Sequence, residues 1–547
     1  MADAIEAKAT LQLEERLGVT AVLEAKQASD NEHTESVAEC FRIYRKAVLW
    51  SIMVSMSVVM EGYDTILMGN FFGYPQFQKK YGQDYGGTIG WQVSAPWQSG
   101  LNMASTVGCI FGGLMNGQMC AKFGYRKVMV VALIFMTAFI FIVFFASSAP
   151  VLLVGEILCG FSWGVFATVG PAYASEVTPT QLRAYLTTYV NLCWAIGQFI
   201  AAGVLEGLIN RSDEWGYRIP FAVQWVWPVP LIIGCWLMPE SPWYLMGRDD
   251  IEGARHSLER LTTGRSAEQI NGQLAMMMHT INIEKEVTKG ATYIDCFKSD
   301  NLRRTEIACL AFAGQIMSGS SFAYSPAYFF ENAGMSSSDA FKLNLGSTAI
   351  AFCGTVLSWW LVSYIGRRKI YVGGQLITLI LLLLIGIVSV SSKTKGALWA
   401  QAAICILWVL VYSLTLGPIA YSFISEISST RLRPLTVCLA RTFYQIVNVF
   451  SQVVEPQFMN PTALNAKGKT AFFWAGTALL MLIWAYFRLP EPNGRTYEEL
   501  DILFKRGISA RKFSSTEVDA YEGAEMPLNE MAEKTVTRDQ VVHHEDV

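Results

Sequence analysis

The chain has 547 residues, 52% of them hydrophobic and only 16% charged, and a formal net charge of −3. This balance excludes a conventional set of soluble domains, and without a basic patch it excludes a nucleic-acid binder; a large membrane domain remains. The five histidines, His33, His256, His279, His543 and His544, lie outside the apolar runs, no HExxH occurs, and the one GxSxG, GFSWG at 160–164, lies within an apolar run with no histidine in it, so no metal site and no enzyme is expected.

Residues 1–45 are charged and lack the apolar core of a signal peptide, which reads as a cytoplasmic N-terminal tail. A hydrocarbon core takes about 20 residues of helix. Twelve runs fit, at roughly 47–69, 98–119, 127–147, 151–174, 185–208, 219–238, 304–330, 343–364, 370–391, 398–422, 435–456 and 471–488, and they are numbered spans 1 to 12 below. Spans 1–6 form an N-terminal bundle over 46–238, a charged cytoplasmic linker covers 239–303, spans 7–12 form a C-terminal bundle over 304–488, and 489–547 is a cytoplasmic tail. The basic loops after spans 2, 4, 8 and 10 share one side, which the positive-inside rule makes cytoplasmic together with both termini. The loop from about 70 to 97 then faces outward, as does Asn210, which opens a formal glycosylation sequon whose use is open. The eleven cysteines lack CxxC spacing and read as small packing residues.

Four charges lie well within apolar spans, away from their ends: Glu61 and Asp64 in span 1, Glu156 in span 4 and Arg441 in span 11. Glu61 and Asp64 are three apart and share a helix face. An ionised side chain at mid-bilayer costs about 2.5–3.5 kcal/mol, so such groups are expected to face a polar crevice and to perform a task there. Three acids against one base form a set expected to exchange protons as a unit. Arg441 serves either as the counter-charge reaching across from the other bundle or as a structural group within its own.

The two halves repeat one another. FGYRK at 123–127 answers IGRRK at 365–369, SEVTPTQLR at 175–183 answers SEISSTRLR at 425–433, and PESPWYL at 239–245 answers PEPNGRT at 490–496. Three ordered pairs at nearly one offset point to a duplicated six-helix unit with its substrate site between the halves at mid-membrane.

These loops, in this order over about 45–505, resemble the sugar porter family of the major facilitator superfamily. MEGYDTILMGNF, GEILCGFSWG and PAYASEVTP look most like the fungal maltose and general α-glucoside:proton symporters. The resemblance implies an all-α fold of twelve transmembrane helices in two pseudo-symmetric six-helix bundles, with proton-coupled import of a disaccharide across the plasma membrane and no cofactor. The implied partners are the sugar, protons and the lipid bilayer, with trafficking or ubiquitination machinery at the tails. A proton-independent facilitator and a non-transporting sensor of the same fold are the rival readings. Carried over by position, the sugar contacts fall on Asn191, Gln198, Gln315, Ser321, Tyr421, Tyr444, Gln445 and Asn448. The cytoplasmic gate falls on Arg126, Glu176, Arg183, Glu240, Arg367, Arg368, Glu426 and Arg433, expected to form a latch that breaks as the halves rock. The chain departs from the family where Glu156 replaces a common Arg, where Ala121 and Ser363 replace Asp, and where Ser321 and Tyr421 replace Asn and Trp.

Overall fold

The computed structural model describes residues 36–516 apart from 88–89, 289–291, 324–325, 392–393, 429–431, 493–499 and 501–502. The expectations for the tails before 36 and after 516, and for the side chains of Arg183, Glu426 and Arg433, lie outside the described residues.

Nine described helices are long and apolar enough to cross a membrane: Arg45–Phe71, Tyr125–Phe144, Ala149–Val177, Tyr189–Leu208, Trp215–Leu237, Ser337–Leu361, Arg367–Val390, Lys395–Tyr421 and Lys467–Arg488. They are spans 1, 3–6, 8–10 and 12. Span 2 is the helix Ala95–Phe123, span 7 runs through Ser299–Met317, Ser320–Ala323 and Pro326–Ala333, and span 11 is Arg433–Met459. These three are the more polar ones for a physical reason: span 11 packs against both span 2 and span 7, along the inner seam where the halves meet. Span 5 against span 8 makes the second seam.

The helices run a few residues beyond the apolar stretches at most ends, and several are interrupted. In span 7 the first helix stops at Met317, and Gly319, at φ +92°, turns the chain before the next piece; the left-handed region is the one glycine occupies without steric cost. Span 6 contains a 3-10 turn at Gln224–Val226, set between Pro220 and Pro228, which remove two helix amide donors. The segment from 70 to 97, expected as a loop, carries a helix Pro75–Tyr81 and a two-residue hairpin pairing Gln83 with Gln92.

Backbones approach closely inside the N-terminal half. A Cβ on Gly108 or Gly112 of span 2 would overlap the carbonyls of Ile157 and Phe161 in span 4, and one on Gly160 would overlap that of Ser105. Gly62 of span 1 and Gly197 of span 5 meet the partner helix's carbonyl oxygens in the same way. Small residues on facing helices permit this, and in lipid such packing is what holds helices together.

Both ends of the described chain carry ordered, docked stretches. Val37–Ile43, within the stretch read as the N-terminal tail, is a helix with a Ser36/Glu39 capping box. It leads into a dock on the linker, where the Thr263 amide donates to Ile43 O at 2.8 Å, Gln273 bonds Tyr44 Oη, and Arg265 lies over the Tyr44 ring. Beyond 502, Phe504 and Phe513 stack edge to face and take the Arg303 guanidinium, which also donates to Ile508 O at 2.8 Å.

Candidate functional site

The basic loops and PE motifs build matching joints at the linker end of each half. Glu240 accepts the backbone amides of Tyr125 (2.9 Å) and Arg126 (3.1 Å), the first turn of span 3. Glu491 accepts those of Arg367 (3.0 Å) and Arg368 (3.1 Å), the first turn of span 9. A carboxylate at a helix N-terminus satisfies donors that have no partner inside the helix and complements the dipole. The arginines turn the other way. Arg126 lies over Trp236 at the end of span 6; Arg368 lies over Tyr486 and donates to Leu489 O and Tyr486 O at the end of span 12. Glu176 accepts from Tyr125 Oη and Ser241 Oγ. Through these contacts the carboxylates of Glu176, Glu240 and Glu491 bond groups of their own half, which makes a pair of matching joints.

The intramembrane charges separate into two places. Asp64 is 2% exposed and accepts from Gln224 Nε2 at 2.8 Å. It adjoins Glu156, which is fully buried with both carboxyl oxygens lacking any other hydrogen-bond partner. Tyr63 Oη, donating to Pro220 O at 2.8 Å, anchors span 1 to the interrupted stretch of span 6 that presents Gln224. Glu61, one turn toward the linker, instead faces Arg441 of span 11, and the Arg441 guanidinium lies 5.8 Å from the Tyr421 ring centroid. The structure thus sets an acid pair inside one half and an acid opposite a base across the cleft.

Around this cleft the C-terminal half groups several of the expected sugar contacts. Phe312 of span 7 packs between Tyr421 and Tyr444, each with ring centroids 4.9 Å away. Gln315 Oε1 accepts from Tyr412 Oη at 3.1 Å while its buried Nε2 has no partner, and Ser451 Oγ bonds Ser321 Oγ. Asn191, Gln445 and Asn448 are half-buried, and Gln198 is buried with its Nε2 unpartnered. Among the described residues four hydrogen bonds join the halves, and all lie away from the linker: Gln98 Nε2 to Tyr328 Oη (3.1 Å), Ser99 Oγ to Val453 O (3.2 Å), Thr106 Oγ1 to Gln452 Oε1 (3.0 Å) and Asn460 Nδ2 to Val93 O (2.8 Å). Tyr421, near the linker end of its span, keeps 44% of its surface exposed. The cleft is closed at the far end, and Tyr421 is exposed toward the linker end.

The family described as "Sugar (and other) transporter" matches residues 50–504. The chain belongs to that family. It is 39% identical over 525 residues to a maltose permease of Saccharomyces cerevisiae, covering 95% of this chain and 85% of the relative. A general alpha-glucoside permease of the same yeast is 35% identical over 530 residues, covering 96% and 86%. The xylose transporter XylE from E. coli, in an inward open conformation, superposes with a TM-score of 0.68 at 18% identity, over 83% of this chain and 98% of that one, a likeness of fold. This transporter is thus a multi-pass membrane protein of the major facilitator fold, and its work is transport of a sugar rather than catalysis.

Three polar residues escape a reading by apolar runs. Gln224 sits in span 6, marked in the sequence only by the flanking Pro220 and Pro228. Asn344 of span 8 is fully buried with neither side-chain end partnered. Glu455, at the far end of span 11, accepts from Trp474 Nε1 at 2.6 Å; it stands one residue before the end of the apolar run 435–456, where a carboxylate reads as interfacial.

Proposed function

We propose that this sugar porter imports a disaccharide, maltose or a related α-glucoside, together with protons across the plasma membrane, with the linker and both termini in the cytoplasm. Residues 46–238 and 304–488 act as the two bodies that rock about the site between them. The observation that carries the reading is the charge arrangement: the Asp64–Glu156 pair held by Gln224 in one half, one turn from Glu61, which faces Arg441 of the other half. Protonation of such a group changes what holds the halves together, and a sugar bridging both halves biases the same equilibrium, so the two ligands are coupled through one conformational change.

The site's chemistry suits a polyol. Gln198 and Gln315 offer unpartnered buried donors, Ser321 and Tyr412 offer hydroxyls, and Phe312, Tyr421 and Tyr444 offer aromatic faces, the mixture that sugar hydroxyls over apolar ring faces require. The similarity to yeast maltose and alpha-glucoside permeases supports a disaccharide as the cargo. Uptake of labelled maltose, sucrose, trehalose and glucose in a transport-deficient host at two external pH values tests the reading. Faster uptake of an α-glucoside at the lower pH is expected; equal uptake at both, or uptake of glucose alone, overturns it.

A further inference from the structure

A small cavity lies between the halves at the end away from the linker. Both halves line it: Phe72 from span 1, Gln98 and Asn102 from span 2, Phe322 and Tyr328 from span 7, and Glu455 from span 11. It continues the transport site. Phe322 follows Ser321, and Glu455 is one helical turn beyond Ser451, whose hydroxyl bonds Ser321. A carboxylate, two amides, a phenol and two apolar rings around one space are the groups that recognise a carbohydrate ring. Glu455 is oriented for this: Trp474 Nε1 holds Oε2, and among the described residues Oε1 has no hydrogen bond.

The neighbouring amide donor is engaged in the closed arrangement. Gln98 Nε2 donates to Tyr328 Oη at 3.1 Å and to Val93 O at 3.2 Å. Separation of the halves at this end breaks the first of these, which crosses between them, and frees Gln98 for a ligand.

We propose that this cavity is a second-ring subsite. When the far end opens, one pyranose ring of the disaccharide occupies it and donates its hydroxyls to Glu455, with Asn102 and Gln98 completing the contacts, while the other ring lies inward at Gln315 and Ser321. A carboxylate takes two neighbouring hydroxyls in charge-assisted hydrogen bonds, stronger than neutral ones. Closure of the far end contracts the subsite and returns Gln98 to Tyr328, so the grip on this ring is lost as the sugar becomes reachable from the linker side. The proposal rests on the disaccharide reading above.

Monodeoxy maltoses as inhibitors of labelled maltose uptake, compared in wild type and Glu455→Ala at matched surface expression, make a double-mutant cycle. Removal of one particular hydroxyl, or of either of two neighbours, is expected to weaken inhibition about tenfold in wild type and less than about twofold in Glu455→Ala. Glu455→Gln, which keeps an acceptor for Trp474, and Asn102→Ala, which leaves Trp474 alone, give a partial loss of the same coupling and serve if the alanine variant fails to reach the membrane. Equal penalties for every hydroxyl in wild type and variants overturn the subsite alone. A wild type that takes up no maltose overturns the disaccharide reading and the subsite with it.

Discussion

A Cβ on Gly124 or Gly366 would collide with the carboxylate of Glu240 or Glu491, which explains at the scale of single residues why each basic loop opens on glycine. The loop and the distant PE motif are two parts of one joint: the glycine leaves room for the acid, the acid caps the next helix, and the arginine covers the end of the helix that delivered the acid. Loss of either acid removes two charged hydrogen bonds, each worth about 1.5–3 kcal/mol. Glu240→Ala and Glu491→Ala are therefore expected to lower the Tm of the detergent-solubilised protein by several degrees, about as much as each other, with Glu240→Gln recovering part of the loss. At Asp64 the neighbour that matters is Gln224. Gln224→Leu leaves a buried carboxyl without its donor and is expected to cut pH-driven maltose uptake at least about tenfold at normal surface expression, since an orphaned charged partner costs more than one hydrogen bond. Uptake within twofold of wild type would remove Gln224 from the coupling machinery.

At the scale of the helices, the glycine seam between spans 2 and 4 sets how closely the N-terminal half packs. Gly108→Val and Gly160→Leu drive side chains into opposing backbone, which cannot yield by a rotamer change, and overpacking of this kind costs about 1–3 kcal/mol or more. Both are expected to reduce the amount of folded protein at the cell surface, whereas Gly117→Val, with nothing within 4 Å of its Cβ position, is expected to be tolerated. Equal expression of all three would contradict the seam. The twelve spans were legible because apolar runs of bilayer length are a strong signal, and the joints were foreshadowed by three motif pairs repeated across the halves. The form of those joints was not, because a pairing of Arg with Glu by charge gives no hint that a carboxylate prefers the free amides of a helix start. Nor was the separation of Glu61 from Asp64: helical spacing put them on one face, but only the placement of spans 4, 6 and 11 decides that one acid meets Glu156 and Gln224 and the other Arg441. The docked stretches beside Tyr44 and Arg303 were hidden because short polar segments with a few aromatics show no period of their own.

For the whole molecule, the hydrogen bonds between halves at the end away from the linker define which side is closed. Thr106 and Gln452 lie on the seam between spans 2 and 11, and their side chains touch at 3.0 Å. A short, reducible cross-linker between Thr106→Cys and Gln452→Cys is expected to stop maltose uptake and to restore it on reduction, because sugar from outside must part this seam. Uptake that continues through a complete cross-link would place the moving interface elsewhere. The central claim is that one conformational change answers to both sugar and proton, through acids whose surroundings differ between the two states. The most direct test is proton movement evoked by maltose in proteoliposomes containing wild type, Glu61→Gln, Asp64→Asn or Glu156→Gln. Wild type is expected to carry protons with the sugar, and Asp64→Asn and Glu156→Gln to lose that flux while still exchanging labelled maltose across the membrane. Proton flux at the wild-type ratio to sugar in all three variants would contradict the account.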